Sequence, residues 1–178
     1  MFSNYLKLLD KVDSFFSSFS RKFHDEIQCD KGCNKCCVSG ITLWRVEYDR
    51  IFSSLKDEKI AEKSSPSGKC KFLNKDGGCS IYDIRPIVCR LWGMPMLVES
   101  DLLPDYAGRE QTQKKFDPSH ALICCDLNLK DVIDANMLAQ DDMLNTSVVM
   151  TTLAAINYVY CKDVEVPAEE RFNLENIK

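Results

Sequence analysis

The chain has 178 residues with 45% hydrophobic and 28% charged content, which suits one globular unit with a modest core and excludes a disordered or fibrous protein. A formal net charge of −4 argues against a dedicated nucleic-acid binder, whose phosphate contacts demand a basic surface. No apolar run reaches the roughly 20 residues that a membrane-spanning helix needs. In chain order, Leu6, Leu9, Val12, Phe16, Phe19, Phe23 and Ile27 recur at gaps of three and four, which predicts a helix over 4–27 with one apolar face. That face packs on the rest of the domain or pairs with a second copy as a short coiled coil. A second helix is expected over 45–63, with Val46, Ile51, Leu55 and Ile60 inward, ended by Ser64-Ser-Pro-Ser-Gly68. Cys70–Leu73 and Cys79–Tyr82 flank the turn sequence Asn74-Lys-Asp-Gly-Gly78, the pattern of a short hairpin. Asp83 then stands where an N-cap would, with Pro86 in the first turn of a helix carrying Cys89 and Arg90. Pro95, Pro104, Gly108 and Pro118 mark a long loop region, and Ala121–Leu127 reads as a short buried strand. A last helix over 142–160 offers Met143, Val149, Met150, Leu153, Ile156 and Val159 to the core, and the polar tail after Asp163 is expected to be loose.

These elements make an α+β fold, mostly helical, in a single domain over 1–178. The helix of 1–27 and the loop and helix of 92–178 flank a small, irregular, metal-stabilised cysteine core with its hairpin in 28–91.

The cysteines carry the chemistry. Four of the ten fall in the run Cys29-Asp-Lys-Gly-Cys33-Asn-Lys-Cys36-Cys37, and Cys70, Cys79, Cys89, Cys124 and Cys125 follow. Residues 1–27 lack the basic, apolar and small-residue regions of a secretory signal, so the expected compartment is the reducing cytoplasm, where clustered thiols bind metal rather than form disulfides. A trimmed, secreted disulfide scaffold is the alternative. A Cys-x-x-Cys turn such as Cys33 to Cys36 lets two thiolates face one metal. The candidate ligands are Cys29, Cys33, Cys36, Cys37, Cys70, Cys79, Cys89 and one of Cys124 or Cys125, with Cys125 taken as the eighth. Eight thiolates match two four-thiolate zinc sites, one cubane iron–sulfur cluster with spare thiols, or two clusters; an iron–sulfur cluster is favoured, with zinc as the alternative. Cys161 reads as a small core residue or a surface thiol. Lys31, Lys35, Lys69, Lys71, Arg85 and Arg90 lie within a few residues of the thiols, and Arg85 and Arg90 are expected to offset the negative charge of a thiolate centre. His24 and His120 are the only histidines; His24 reads as a polar-face helix residue rather than a ligand.

The stretch Cys29 to Cys37, then Cys70-Lys-Phe-Leu73, then Cys79-Ser-Ile-Tyr-Asp-Ile-Arg-Pro-Ile-Val-Cys89-Arg90 resembles the zinc- or iron-chelating cysteine-cluster family called CxxCxxCC, which includes the flagellin lysine N-methylases. The resemblance runs over about residues 27–91, plus a late cysteine matched by Cys124 or Cys125. It implies binding of metal ions; the net charge and the lack of a long apolar run leave no nucleic acid and no membrane as expected partner, and a protein partner stays open. The function expected is a cysteine-ligated metal centre with a structural, redox or metal-handling role. The alternative is a metal-dependent protein lysine N-methyltransferase. The first gap has three residues instead of two, so Cys29, Cys33 and Cys36 also match the Cys-x-x-x-Cys-x-x-Cys of radical S-adenosylmethionine enzymes. Lys35 stands where those are usually aromatic, and no βαβ alternation follows.

Overall fold

The structure, a computed structural model that describes residues 1–29, 32–55, 68–102, 111–134 and 136–177, begins with helix α1 (Ser3–Lys22). Its inward face is Tyr5, Leu8, Leu9, Val12, Phe16 and Phe19. The apolar stripe packs inside the chain's own core, but its first turn is rotated from the expected one: Leu6 is 39% exposed, while Tyr5 and Leu8 are buried. Arg21 and Lys22 sit in the last turn, where positive charge complements the helix dipole. The helix stops short of the expected end, and His24–Glu26 form a 3-10 turn.

Strand β1 (Thr42–Trp44) leads directly into α2 (Arg45–Leu55). Val46, Ile51 and Leu55 are buried as expected. The expected continuation to residue 63, with Ile60, lies outside the described residues, as does most of the 64–68 break. The turn at 74–78 forms, with Asn74 N–H donating to Gly78 O at 2.7 Å and Gly77 N–H to Asn74 O at 3.0 Å. The hairpin around it does not extend into strands: one antiparallel bridge, Leu73 to Cys79, is all that pairs the two arms. Its second arm turns away at once, because Tyr82–Ile84 form a 3-10 turn.

Helix α3 (Ile87–Leu91) carries Cys89 and Arg90, but Asp83 does not cap it. Pro86 precedes the helix with no side-chain cap of its own, and the free N–H of Ile87 is taken by Glu47 Oε1 at 3.0 Å. Glu47 is buried in α2, and it also accepts from Trp44 N–H at 3.1 Å and from the Tyr5 hydroxyl at 3.4 Å. One carboxylate thus closes the start of α2, caps α3 and reaches α1. Burial raises its pKa above the ordinary range, against the pull of the two backbone donors.

The region expected to be loop supplies two strands of a four-stranded sheet. Strands β2 (Met96–Glu99), β3 (Gln111–Lys115), β4 (His120–Cys125) and β5 (Leu144–Asn145) lie in the order β3-β4-β2-β5. The β2–β4 and β3–β4 pairs are antiparallel, and β2–β5 is parallel. Pro95 sits just before β2, where its missing N–H removes no ladder bond, and its carbonyl receives Leu144 N–H at 3.1 Å. The expected buried strand is β4, with Ala121 to Cys124 inside. The short helix α4 (Lys130–Asp134) follows.

Helix α5 (Thr146–Asp163) starts later than expected, capped by the Asn145 side chain, which accepts from Val148 N–H at 3.1 Å. Val149 and Leu153 are buried, whereas Val159 is 49% exposed. The buried phase runs instead through Asn157, Tyr160 and Cys161. Asn157 is fully used there: its oxygen accepts from Val46 N–H at 3.1 Å and its amide donates to Ala168 O at 2.9 Å. The tail is not loose. Strand β6 (Arg171–Asn173) pairs antiparallel with β1, and Leu174 and Ile177 are each 1% exposed.

Among the described residues, two apolar cores result. The larger unites α1, α3, α5 and the sheet; the smaller gathers Leu43, Ile51, Leu55, Cys70, Phe72, Ile81, Leu174 and Ile177.

Candidate metal centre

The first cysteine run folds as consecutive turns. Cys37 N–H donates to Asn34 O and Val38 N–H to Cys36 O, each at 3.0 Å. The run then pairs with the segment before the turn: Val38 bridges Lys69, and Cys70 N–H donates to Cys37 O at 3.2 Å. This places Cys37 beside Cys70. The Leu73–Cys79 bridge brings Cys79 to the same place, and α3 supplies Cys89. Cys70 belongs to the smaller core, and Cys37, Cys79 and Cys89 pack against it. Four chain segments therefore deliver a sulfur to one apolar neighbourhood. Gly77 makes the close approach possible: its φ is +85°, and a Cβ there would stand 2.8 Å from the Gly32 carbonyl oxygen.

All ten cysteines are free of disulfides. Burial pushes the thiols of Cys70, Cys79 and Cys89 up, Cys89 further by its neighbours Cys70, Cys79 and Cys36. Cys37 is raised first by its hydrogen bond with Cys36 and then by burial. Mutually facing thiols in apolar surroundings stay protonated until a cation replaces the protons, so the donor set has the chemistry of a soft-metal site. Among the described residues, no three His, Cys, Asp or Glu side chains already close on one point as the shell of an ion.

Cys29, Cys33, Cys124 and Cys125 form a further group that adjoins the first through Cys36. The thiol of Cys29 is within hydrogen-bond reach of Cys33 and feels the charges of Cys33 and Cys36, while burial raises its pKa and the Asn128 amide lowers it. Burial followed by the neighbouring Cys125 lifts Cys124 to about 12, and burial lifts Cys125 to about 11. Cys161 is a core residue, its thiol 3.6 Å from Asn157 Oδ1.

Arg85 stacks on the Tyr82 ring at 3.8 Å, donates to Tyr82 O at 2.7 Å, and its charge opposes the rise of the Cys79 thiol. Arg90 is buried. It donates to Arg85 O at 3.1 Å and Asp83 O at 2.8 Å, and pairs with Asp13 of α1. It thus clamps the 82–85 turn and α1 onto the helix that carries Cys89. Lys69 donates to Asn34 O, and Lys71 to Glu175 O and Ile177 O, so both brace backbone around the thiols. Lys31 lies outside the described residues. His24 is exposed beside Asp25, and His120 lies at the start of β4 beside Asp117. Two residues that shape the site escaped the sequence reading: Glu47 and Asn128. An acidic residue at the third position of an apolar helix was the available signal for Glu47; Asn128 has no local one.

No curated protein and no solved structure matches the chain. Residues 28–119, just over half of it, match the family CxxCxxCC, described as "putative zinc- or iron-chelating domain". That span contains the turns, the bridge and α3 that bring Cys36, Cys37, Cys70, Cys79 and Cys89 together, and it ends before Cys124 and Cys125. The chain belongs to the CxxCxxCC family.

Proposed function

We propose that this protein is a cysteine-ligated metal-binding protein whose centre is held in the smaller core by Cys36, Cys37, Cys70, Cys79 and Cys89, and that an iron–sulfur cluster fits the centre better than zinc. The observation that carries this is the delivery of sulfurs from four separate chain segments to one apolar neighbourhood. An all-sulfur donor set gathered from distant segments is what a multi-iron body ringed by thiolates takes, and a four-thiolate zinc takes the same donors. When bound, the cluster supplies one-electron redox chemistry. Phe72 and Ile81 supply buried apolar surface in the same core, Arg85 offsets charge at Cys79, and Arg90 holds the Cys89 helix in place.

The test is anaerobic purification followed by iron, acid-labile sulfide and zinc analysis with a visible spectrum. Brown protein with matching iron and sulfide is expected, and Cys79→Ser should lose both. A colourless preparation with stoichiometric zinc moves the reading to zinc. Metal-free protein whose thiols all titrate in the native state overturns it.

A further inference from the structure

Away from the sulfurs, α1 and α5 leave a groove between them. The two helices run antiparallel: Phe2, just before α1, stacks on Tyr160 near the end of α5 at 5.6 Å, and Lys22 at the end of α1 pairs with Asp142 just before α5. The groove holds about 340 Å³. Buried Leu8, Val12 and Val149 line it, with partly buried Phe15, Leu144 and Ile156.

Its two rims differ. On the α1 side, Lys7 and Lys11 are exposed one helical turn apart, and among the described residues neither has an ion pair or a side-chain hydrogen bond. No acidic side chain lines the groove among the described residues. The α5 side is uncharged: from Thr146 to Cys161 the helix has no Asp, Glu, Lys or Arg. Val148, Thr152, Ala155 and Val159 recur at gaps of four, three and four, which makes one stripe along the helix. All four are exposed, Val148 at 62% and Val159 at 49%. A surface helix ordinarily carries charge on its solvent face. This one presents the spacing of a coiled-coil seam instead, and the small Thr152 and Ala155 between two valines leave room for another backbone to approach.

Shape and charge select the occupant. A trough between two antiparallel helices takes a rod one helix wide, and its concavity does not lie flat on a membrane. From Asn4 to Phe15 the α1 wall runs about three turns, roughly 17 Å, enough to seat a helix of similar length. A second copy of this chain, joined groove to groove about a two-fold axis, would set lysine against lysine with no carboxylate from either groove between them. We propose that the α1–α5 groove docks an amphipathic helix of a partner protein, whose apolar stripe packs on Leu8, Val12, Phe15 and Val148 and whose flanking Glu or Asp side chains meet Lys7 and Lys11. The thiols take no part, so this surface is independent of the metal centre. Burial of the apolar stripe supplies the affinity, and the lysines set the orientation and reject a basic helix.

The experiment uses the full chain and two fluorescent synthetic helices of about 15 residues, four turns each. Both carry leucines at i, i+4, i+7 and i+11; one is flanked by glutamates and the other by lysines. Fluorescence anisotropy should show saturable binding of the glutamate peptide, at least tenfold tighter than the lysine peptide and weaker as salt rises. The double variant Lys7→Glu, Lys11→Glu should invert that preference. Val148→Glu should weaken the glutamate peptide at least tenfold. It stands exposed in the first turn of α5, where a carboxylate suits the helix dipole, so this variant keeps its fold. No binding of the glutamate peptide at millimolar concentration, equal binding of the two peptides, or an unchanged preference in the double variant overturns the proposal. Two further outcomes also overturn it by giving the groove another occupant. One is self-association of the wild type in sedimentation that Val148→Glu abolishes, and the other is binding to phosphatidylglycerol vesicles in place of the peptide.

Discussion

In the larger core, α1 and α5 set Val12, Phe16, Phe19, Val149 and Leu153 with Met96, Val98, Leu122 and Ile123 of the sheet. In the smaller core, Leu43, Ile51, Phe72, Ile81, Leu174 and Ile177 come from a two-stranded ribbon, one helix and turns that make only isolated bridges. The first region satisfies its backbone internally, through helices and a ladder, and stands on apolar burial. The second borrows its satisfaction from elsewhere: Glu47 caps α3, Lys71 collects the tail carbonyls, and Arg90 collects those of the 82–85 turn. A region with so little regular structure of its own is the one in which ligation contributes most to folding.

The strongest way to break that contrast is metal removal. Chelation should cost the smaller region several kcal/mol and lower its thermal midpoint by roughly 10 °C or more. The far-UV helical signal of α1 and α5 should persist through that first transition. One unchanged, cooperative melt after complete chelation would show that the two regions share the same support.

Leu174→Ala addresses the apolar part of the smaller core. The residue is 1% exposed, so truncation should cost about 3 kcal/mol in urea unfolding. A cost near zero would mean that the tail does not belong to this core.

Glu47 joins the two regions, and its variants separate bonding from charge. Glu47→Ala leaves the buried N–H groups of Trp44 and Ile87 without an acceptor and should cost about 2–3 kcal/mol. Glu47→Gln keeps an acceptor and should cost far less at neutral pH. Burial raises the folded pKa above the ordinary 4.5. The contribution of this group to stability is therefore complete below 4.5 and is lost as pH rises through the folded value. Glu47→Gln should flatten that slope in a pH series of unfolding free energies; an identical slope in the variant would remove Glu47 as its source.

Gly77→Ala sharpens the comparison within the smaller region. A side chain at φ +85°, aimed at the Gly32 carbonyl, should cost about 1–2 kcal/mol. The loss should be read in metal retention as well as in unfolding. Smallest is Val159→Lys on the solvent side of α5, expected within about 0.5 kcal/mol of wild type by thermal melting, because that position lies off the buried face.

Much of the larger region was legible from periodicity. The threes and fours of α1 and the apolar run of β4 are local signals, and both elements form. Periodicity left the phase less certain: Leu6 and Val159 fit the stripe, yet Tyr5 and Asn157 are buried, one by its contact with Glu47 and the other by two long-range hydrogen bonds. Strand β2 was hidden behind Pro95, which reads as a breaker unless its carbonyl is known to have a partner. The tail after Asp163 looked loose because its two anchors, Leu174 and Ile177, are separated by polar residues and meet their partners only across the β1–β6 pair.

By itself the sequence determined the donor chemistry, the family, the turn at 74–78 and the helices at both ends, because each is written in residue type and short spacing. The tertiary structure alone decided which sulfurs meet. Cys37, Cys70, Cys79 and Cys89 are joined by bridges and turns that no local pattern specifies, and Asn128, about a hundred residues away, bonds the backbone of Gln28 and the sulfur of Cys29. Spacing along the chain sets what two neighbours can do together; the pairing of distant segments is settled by the cores that bury them and by the polar groups that burial obliges to find partners.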